Sequence, residues 1–490
     1  MRFSTLALAA FAATPASAET LYSVLVFTRH GDRTAKFYKG YHMTNLGATQ
    51  IYDSGTYHRQ RYVEEGASHQ ILNISADAAV TSQLWASAPD QGILFQTATN
   101  FLQGLYPPLN TLNTQLATET LTNGTDTTDP LNGYQFILIH GEDTMTPDTI
   151  WIKGDDQCPT YDEAYDSYAD SAEYKLTFDE TAPFYSRFVP LLGDIMGPEN
   201  VTYAHAYDVF DLLNVGSIHN ASVAEVLSPS DLDQLRYLAD QWEWNHNFNA
   251  TQPDRSIGGM TLAGGILRQL ADVVDSQAQV KFSLMAGSYD TQMAFYGLTN
   301  LTTASDDFYG LPNYASSIAF ELFSEEDDRI AFPENPELDL RVRFLFKNGT
   351  EDAELTAFPL FGREELTMSY GDFVNELGNR AIIEVDEWCI RCESDAEFCY
   401  AARHGDDTGG DSSTTSPSST EDDSDSGLSN AAAGGIGAGV TLGVVANVVA
   451  LAWLLSRRKK TAHQTLPVVA PVPVSEKKTS STSSKSDVSV

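Results

Sequence analysis

Cysteine is scarce in this chain, four in 490 residues, too few for a fold built on disulfides. Basic side chains are scarce as well. Lys+Arg number 29 against 67 Asp+Glu, a formal net charge of −38. A nucleic-acid-binding protein needs basic surface to displace counterions, so that class is excluded. The same charge repels polyanions at neutral pH, and less so at acid pH as carboxylates protonate. The sequence has no Gly-rich phosphate loop of Walker type and no Gly-x-Ser-x-Gly elbow, which argues against a P-loop enzyme and an α/β-hydrolase. It has no internal repeat, and its long apolar runs are confined to the two ends. What is present is a hydrophobic fraction of 42% with 22 Tyr, 24 Phe and 6 Trp, enough for a large core and incompatible with global disorder.

The ends predict the compartment. Residues 1–18 read as a secretory signal: Arg2, an apolar stretch from Leu6 to Ala13, and Ala16-Ser17-Ala18 before Glu19. Residues 431–455 carry no charge and are long enough to span a bilayer. Arg457, Arg458, Lys459 and Lys460 follow, which places the C-terminal side in the cytosol. Residues 19–404 are globular in composition, with an α-rich cap expected within 160–250. Residues 405–430 form a Ser/Thr/Asp stalk and 456–490 a basic tail. Seven sequons, at Asn73, Asn123, Asn200, Asn220, Asn249, Asn300 and Asn348, all precede the stalk, as expected of an exposed, glycosylated ectodomain. In an oxidising compartment Cys158, Cys389, Cys392 and Cys399 form two disulfides, with three pairings open. Cys389-x-x-Cys392 lacks the second pair that a zinc site needs.

Short apolar runs at Ser23–Phe27, Phe136–Ile139 and Val280–Met285 predict buried strands. Leu46–Tyr62, Thr97–Leu105, Leu232–Trp244 and Leu262–Val274 carry helical periodicity. The alternation predicts an α/β fold with a parallel-rich central sheet flanked by helices.

Directly after the first strand stands Thr28-Arg29-His30-Gly31-Asp32-Arg33-Thr34. Ligands gather at the carboxyl ends of strands in open α/β sheets. Guanidinium forks bind phosphate oxygens bidentately, and two arginines disfavour protonation of the imidazole between them. His30 therefore stays neutral and nucleophilic at acid pH. Weaker signals are His140 at a strand end, the Asp155-Asp156 pair, and Arg403-His404-Gly405, which repeats the tripeptide without the following Arg-Thr.

This motif resembles the Arg-His-Gly-x-Arg-Thr signature of the histidine acid phosphatases, clade 2 of the histidine phosphatase superfamily. Thr44-x-x-Gly47-x-x-Gln50, Gly55, Arg59-x-Arg61-Tyr62, Phe101-Leu102-x-Gly104-Leu105-Tyr106-Pro107 and Ala286-Gly287-Ser288-Tyr289-Asp290-Thr291 are similar to later segments of that family. The resemblance spans about residues 22–400 and implies a phosphoglycerate-mutase-like fold. It also implies hydrolysis of phosphomonoesters through a phosphohistidine. His30 is then the nucleophile, Asp290 the general acid, and Arg29 and Arg33 the phosphate clamps, with no cofactor or metal. The implied partner is a small phosphorylated substrate or another anionic ligand. Two residues depart from the pattern. No arginine stands in Trp85–Gln91, where the family supplies a third clamp, and Tyr289 replaces the histidine of the His-Asp pair. Tyrosine keeps a hydrogen-bond donor but not a positive charge. These losses set up the alternative, a catalytically impaired surface protein that binds an anion.

Overall fold

The computed structural model describes residues 19–326, 331–352 and 354–404. The signal segment 1–18, the stalk 405–430, which includes Gly405 of the repeated tripeptide, the apolar run 431–455 and the tail 456–490 lie outside the described residues. Among the described residues no helix is long and apolar enough to cross a membrane.

Strand β1 (Thr20–Arg29) is buried along its whole length, as an unbroken apolar run requires in a sheet covered on both faces. Strands β2 (Leu84–Pro89), β3 (His140–Glu142) and β4 (Phe282–Gly287) run parallel with it in the order β1-β4-β2-β3. On the other side of β1 the sheet continues antiparallel through β5 (Ser317–Ser324) and β6 (Arg341–Lys347). The short β7 (Thr356–Ala357) and β8 (Thr367–Ser369) both pair with β6. The sheet is therefore mixed, and its parallel half carries the motif.

The period-two alternation of β1 divides the core. Val24 and Val26 pack with Leu284 against helices α1 (Asn45–Tyr62) and α2 (Gly92–Leu105), through Ile51, Leu94 and Phe101. Leu25 and Phe27 face the other way, onto Leu262 and Ile266. Further along the chain come helices α3 (Ala206–His219), α4 (Pro229–Asn247), α5 (Ile257–Asp275) and α6 (Tyr289–Leu298). The first two of these, with helices 172–185 and 189–196, build a cap with its own core of Tyr185, Leu192, Phe210, Leu213 and Leu235. Ala35 and Tyr289 reach into that core.

One strand expectation fails. Residues 136–139 form no ladder, and the strand begins only at His140. Phe136 is 74% and Leu138 47% exposed while Ile137 is buried, so alternate side chains anchor an extended segment that has no neighbour to pair with. The cysteines pair as Cys158–Cys392 and Cys389–Cys399, around the buried Trp388. Of the sequons, Asn73, Asn123, Asn220 and Asn300 are exposed, whereas Asn200, Asn249 and Asn348 are half-buried. The amide of Asn200 donates to the Met196 carbonyl at 2.7 Å, so exposure at every sequon does not hold.

Candidate active site

Strands β1 and β4 are parallel neighbours with Arg29 opposite Gly287. The loops carrying His30 and Tyr289-Asp290 therefore leave the carboxyl edge of the sheet side by side, as the sequence led one to expect. The motif loop is braced by α1. A Cβ on Gly31 would lie 2.3 Å from the Gly47 carbonyl oxygen, so both positions must lack a side chain. Thr44 caps α1 by accepting the Gly47 N–H at 3.1 Å and donates its own hydroxyl to Asp32. The Asp32 N–H donates to Gln50 Oε1 at 2.8 Å, and His219 Nε2 lies 2.7 Å from Asp32 Oδ2. Thr44, Gly47 and Gln50 thus fix the loop, and Gln50 also lines a cavity beside Arg29. Arg59 and Arg61 are structural as well. Arg59 donates to the Leu105 carbonyl at 3.0 Å, and Arg61 pairs with Glu321 at 2.9 Å.

His30 is buried, 4% exposed, with Nδ1 2.8 Å from the Gly31 carbonyl. Nδ1 must carry the proton in that contact, which leaves the Nε2 lone pair free. Burial first, then the charges of Arg29 and Arg33, hold the imidazole well below its usual range. Arg29 is 5% exposed. It donates to the Pro312 carbonyl and lies between two rings, 5.0 Å from that of Tyr289 and 4.8 Å from that of Tyr314. Arg33 is differently placed: Nη1 pairs with Asp211 at 3.0 Å and Nη2 donates to the Tyr207 hydroxyl at 2.7 Å.

Asp290 sits in the first turn of α6 and accepts the Thr291 N–H at 2.9 Å. Lys153 reaches its Oδ2 at 3.3 Å and also holds Asp155 at 3.0 Å and Asp156 at 3.8 Å. Burial opposes ionisation of Asp290, but Lys153 and Lys36 override it and keep the carboxyl below its ordinary range. The Asp155-Asp156 pair therefore serves an ammonium of the chain itself. Tyr289 stacks on Tyr207 at 5.0 Å and donates its hydroxyl to Glu243 at 2.7 Å. Burial raises Glu243 to about 7.

Tyr207 lies on the walls of two cavities. One, about 560 Å³, is lined by Asp290, Tyr289, Lys36 and Lys153; the other, about 210 Å³, by Arg29, Arg236, Asn313 and Tyr314. Of the residues the sequence singled out, Arg29 and His30 leave β1 beside Tyr289 and Asp290 leaving β4, with the Arg29 guanidinium 5.0 Å from the Tyr289 ring. His30 itself lines neither cavity, and Arg33 is turned to Asp211 and Tyr207. Sequence reasoning missed Lys153, Tyr207, Asp211, Glu243 and Arg236, which lie in helical segments without a motif. Lys36, three residues beyond Arg33, was the one within sight. His140 is exposed and stacks on Trp85 at 6.0 Å, lining neither cavity.

The fold and this edge-of-sheet constellation define a class. The model of the histidine phosphatase superfamily, branch 2, matches residues 38–347, and the chain belongs to that family. The matched span begins just after the Arg-His-Gly motif, whose placement rests on β1 and its pairing. Among solved structures, the phytase of Citrobacter braakii is similar over 75% of this chain and 99% of its own, at 13% identity and TM-score 0.50. The apo phytase of Hafnia alvei is similar over 75% and 98%, at 11% identity and TM-score 0.51. These likenesses concern the fold. No curated protein matches the sequence.

Proposed function

We propose that the chain hydrolyses small phosphomonoesters at acid pH through a phosphohistidine on His30. One observation carries the reading: a buried imidazole with Nδ1 fixed on the Gly31 carbonyl at 2.8 Å, beside an Arg29 guanidinium that no carboxylate of the described residues pairs with. Nε2 attacks phosphorus, the bond to the leaving oxygen breaks, and that oxygen takes a proton from Asp290. Water then attacks the phosphohistidine and returns a proton to Asp290, releasing phosphate and free imidazole. Asp290 must first gain that proton against Lys153, and the negative charge of a bound phosphoryl group favours this. The larger cavity carries Asp155, Asp156, Asp208, Glu243 and Asp290 against Lys36 and Lys153. That balance disfavours a substrate with many phosphates and favours a monoester with a neutral or cationic leaving group.

A second reading also has support. Arg33 is tied to Asp211, Asp290 to Lys153 and Tyr289 to Glu243. With these groups engaged, the site binds an anion and turns it over slowly or not at all. The full-length chain assayed with 4-nitrophenyl phosphate from pH 3 to 7 separates the two. Hydrolysis that falls at least about 10³-fold in His30→Ala, with phosphohistidine trapped at low temperature, supports the enzyme. Saturable vanadate binding without turnover supports the second reading, and neither result leaves a structural glycoprotein.

We further propose that this domain faces away from the cytosol, tethered by residues 431–455 in a membrane of the secretory pathway. The signal segment, the sequons and the basic stop support that topology. Sealed vesicles should show endoglycosidase-sensitive chains protected inside and a tail that external protease removes. A protected tail rejects the orientation.

A further inference from the structure

The segment 85–91 leaves the phosphate site one cation short of the family pattern. The smaller cavity is lined by a second arginine besides Arg29. Arg29, on its wall, is deeply buried and its Nε has no hydrogen-bond partner. Among the described residues no carboxylate pairs with it. A buried guanidinium without a paired counterion weakens the folded state until an anion joins it.

Arg236, from α4 in the cap, lines the same cavity. Asp240, one turn on, holds its Nε at 2.9 Å; Nη1 donates to Asn313 Oδ1 at 3.3 Å and Nη2 to the Leu311 carbonyl. Each terminal nitrogen carries two N–H groups, so each retains one for a ligand. Burial first, and then the charges of Arg33 and Arg236, lower Arg29, so the two guanidiniums on this cavity repel each other. Two carboxylates also line it. Asp211 is taken by Arg33 at 3.0 Å and by the Lys36 N–H at 2.7 Å, and Glu351 is exposed at the rim. The His30 ring does not line the cavity itself; it lies 5.8 Å, between centroids, from the ring of Tyr314, which does.

We propose that Arg236 is the missing cation of the oxyanion site, supplied from the cap instead of from the end of β2, and that the phosphoryl group of a phosphomonoester sits between Arg29 and Arg236. The proposal rests on the reading of His30 given above. It makes the cap part of the phosphate site, so that binding an oxyanion draws α4 and the motif loop together.

Calorimetric titration of the full-length chain with inorganic phosphate tests it. Arg236→Gln should weaken phosphate binding by roughly tenfold to a hundredfold, the range for a hydrogen bond to a charged group. Arg236→Lys should recover part of it, because a point charge lacks the planar fork. Arg187→Gln, at a cap arginine paired with Asp231 and outside both cavities, should change nothing. Arg236→Gln that folds and binds phosphate within about twofold of wild type overturns the proposal, even where 4-nitrophenyl phosphate is still hydrolysed through His30. A wild type that neither binds phosphate nor hydrolyses the ester rejects the His30 reading instead. Should the variants misfold, phenylglyoxal labelling of the wild type decides: phosphate should protect Arg236, and equal labelling with and without phosphate rejects the assignment.

Discussion

The two cavities on either side of Tyr207 handle charge in opposite ways. On one side Arg29 is buried with an unpartnered Nε and, among the described residues, no carboxylate paired with it. On the other, Lys153 is equally buried but is surrounded by Asp155, Asp156 and Asp290. The fold tolerates one cation without a counterion and saturates the other. A lone buried charge weakens the folded state, whereas a saturated one loses stability mainly when a partner is removed. The difference separates a charge kept for a ligand from one that serves the fold and poises the acid.

The sharpest way to break that comparison is to remove each cation. Arg29→Met should weaken phosphate binding by about 10³-fold, while the unfolding free energy holds or rises, because a lone buried charge is removed and no anion is orphaned. Lys153→Met should do the reverse to stability, lowering it by about 3 kcal/mol since three carboxylates lose their counterion. Urea titrations of both variants check this. Equal destabilisation would mean that Arg29 is structural after all.

Asp290 comes next. Asp290→Asn should slow hydrolysis of an alkyl phosphate by about 10²-fold and scarcely change that of 4-nitrophenyl phosphate, whose leaving group needs no proton. A uniform loss across leaving groups removes Asp290 as the acid. Tyr289→His should raise kcat by about tenfold. It breaks the stack on Tyr207, returns a chargeable donor beside Arg29, and releases Glu243. An unchanged or lower kcat would show that the Tyr207–Tyr289 partition is not what limits turnover.

Much of this was legible because it is local. The run Val24–Phe27 announced a doubly covered strand, and a motif at the end of such a strand has one place to go. Thr44, Gly47 and Gln50 were visible as a pattern, but their role as loop braces required the contact between Gly31 and Gly47. The cap residues that complete the site were not legible. Arg236 and Glu243 lie on α4, where their spacing belongs to the periodicity of an amphipathic helix. Nothing in a helical pattern marks which polar positions face a strand end far away in sequence. Phe136–Ile139 misled for a related reason: a continuous apolar run predicts a strand covered on both faces, but here Phe136 and Leu138 are exposed and the segment has no neighbour to pair with.

The smallest expected effect concerns the alkaline limb of the pH profile. Burial raises Asp155 to about 6 and Glu243 to about 7, and both line the cavity that holds Asp290. A carboxyl with a raised pKa is neutral below that value and ionised above it. As pH climbs through 6 and 7, two negative charges therefore appear beside the entering monoester, opposed by Lys36 and Lys153 and reinforced by Asp290. Screened across an open cavity, the two charges together disfavour a phosphate by roughly 1 kcal/mol, so kcat/KM should fall on the order of fivefold. Titration of the substrate itself contributes over the same range, but equally in every variant. The double variant Asp155→Asn/Glu243→Gln should flatten the remainder. Glu142→Gln should not, although burial raises Glu142 to about 8, because Glu142 lines neither cavity. A limb that survives the double variant unchanged would mean that the acidic wall does not face the reacting phosphate, and that the two cavities act independently.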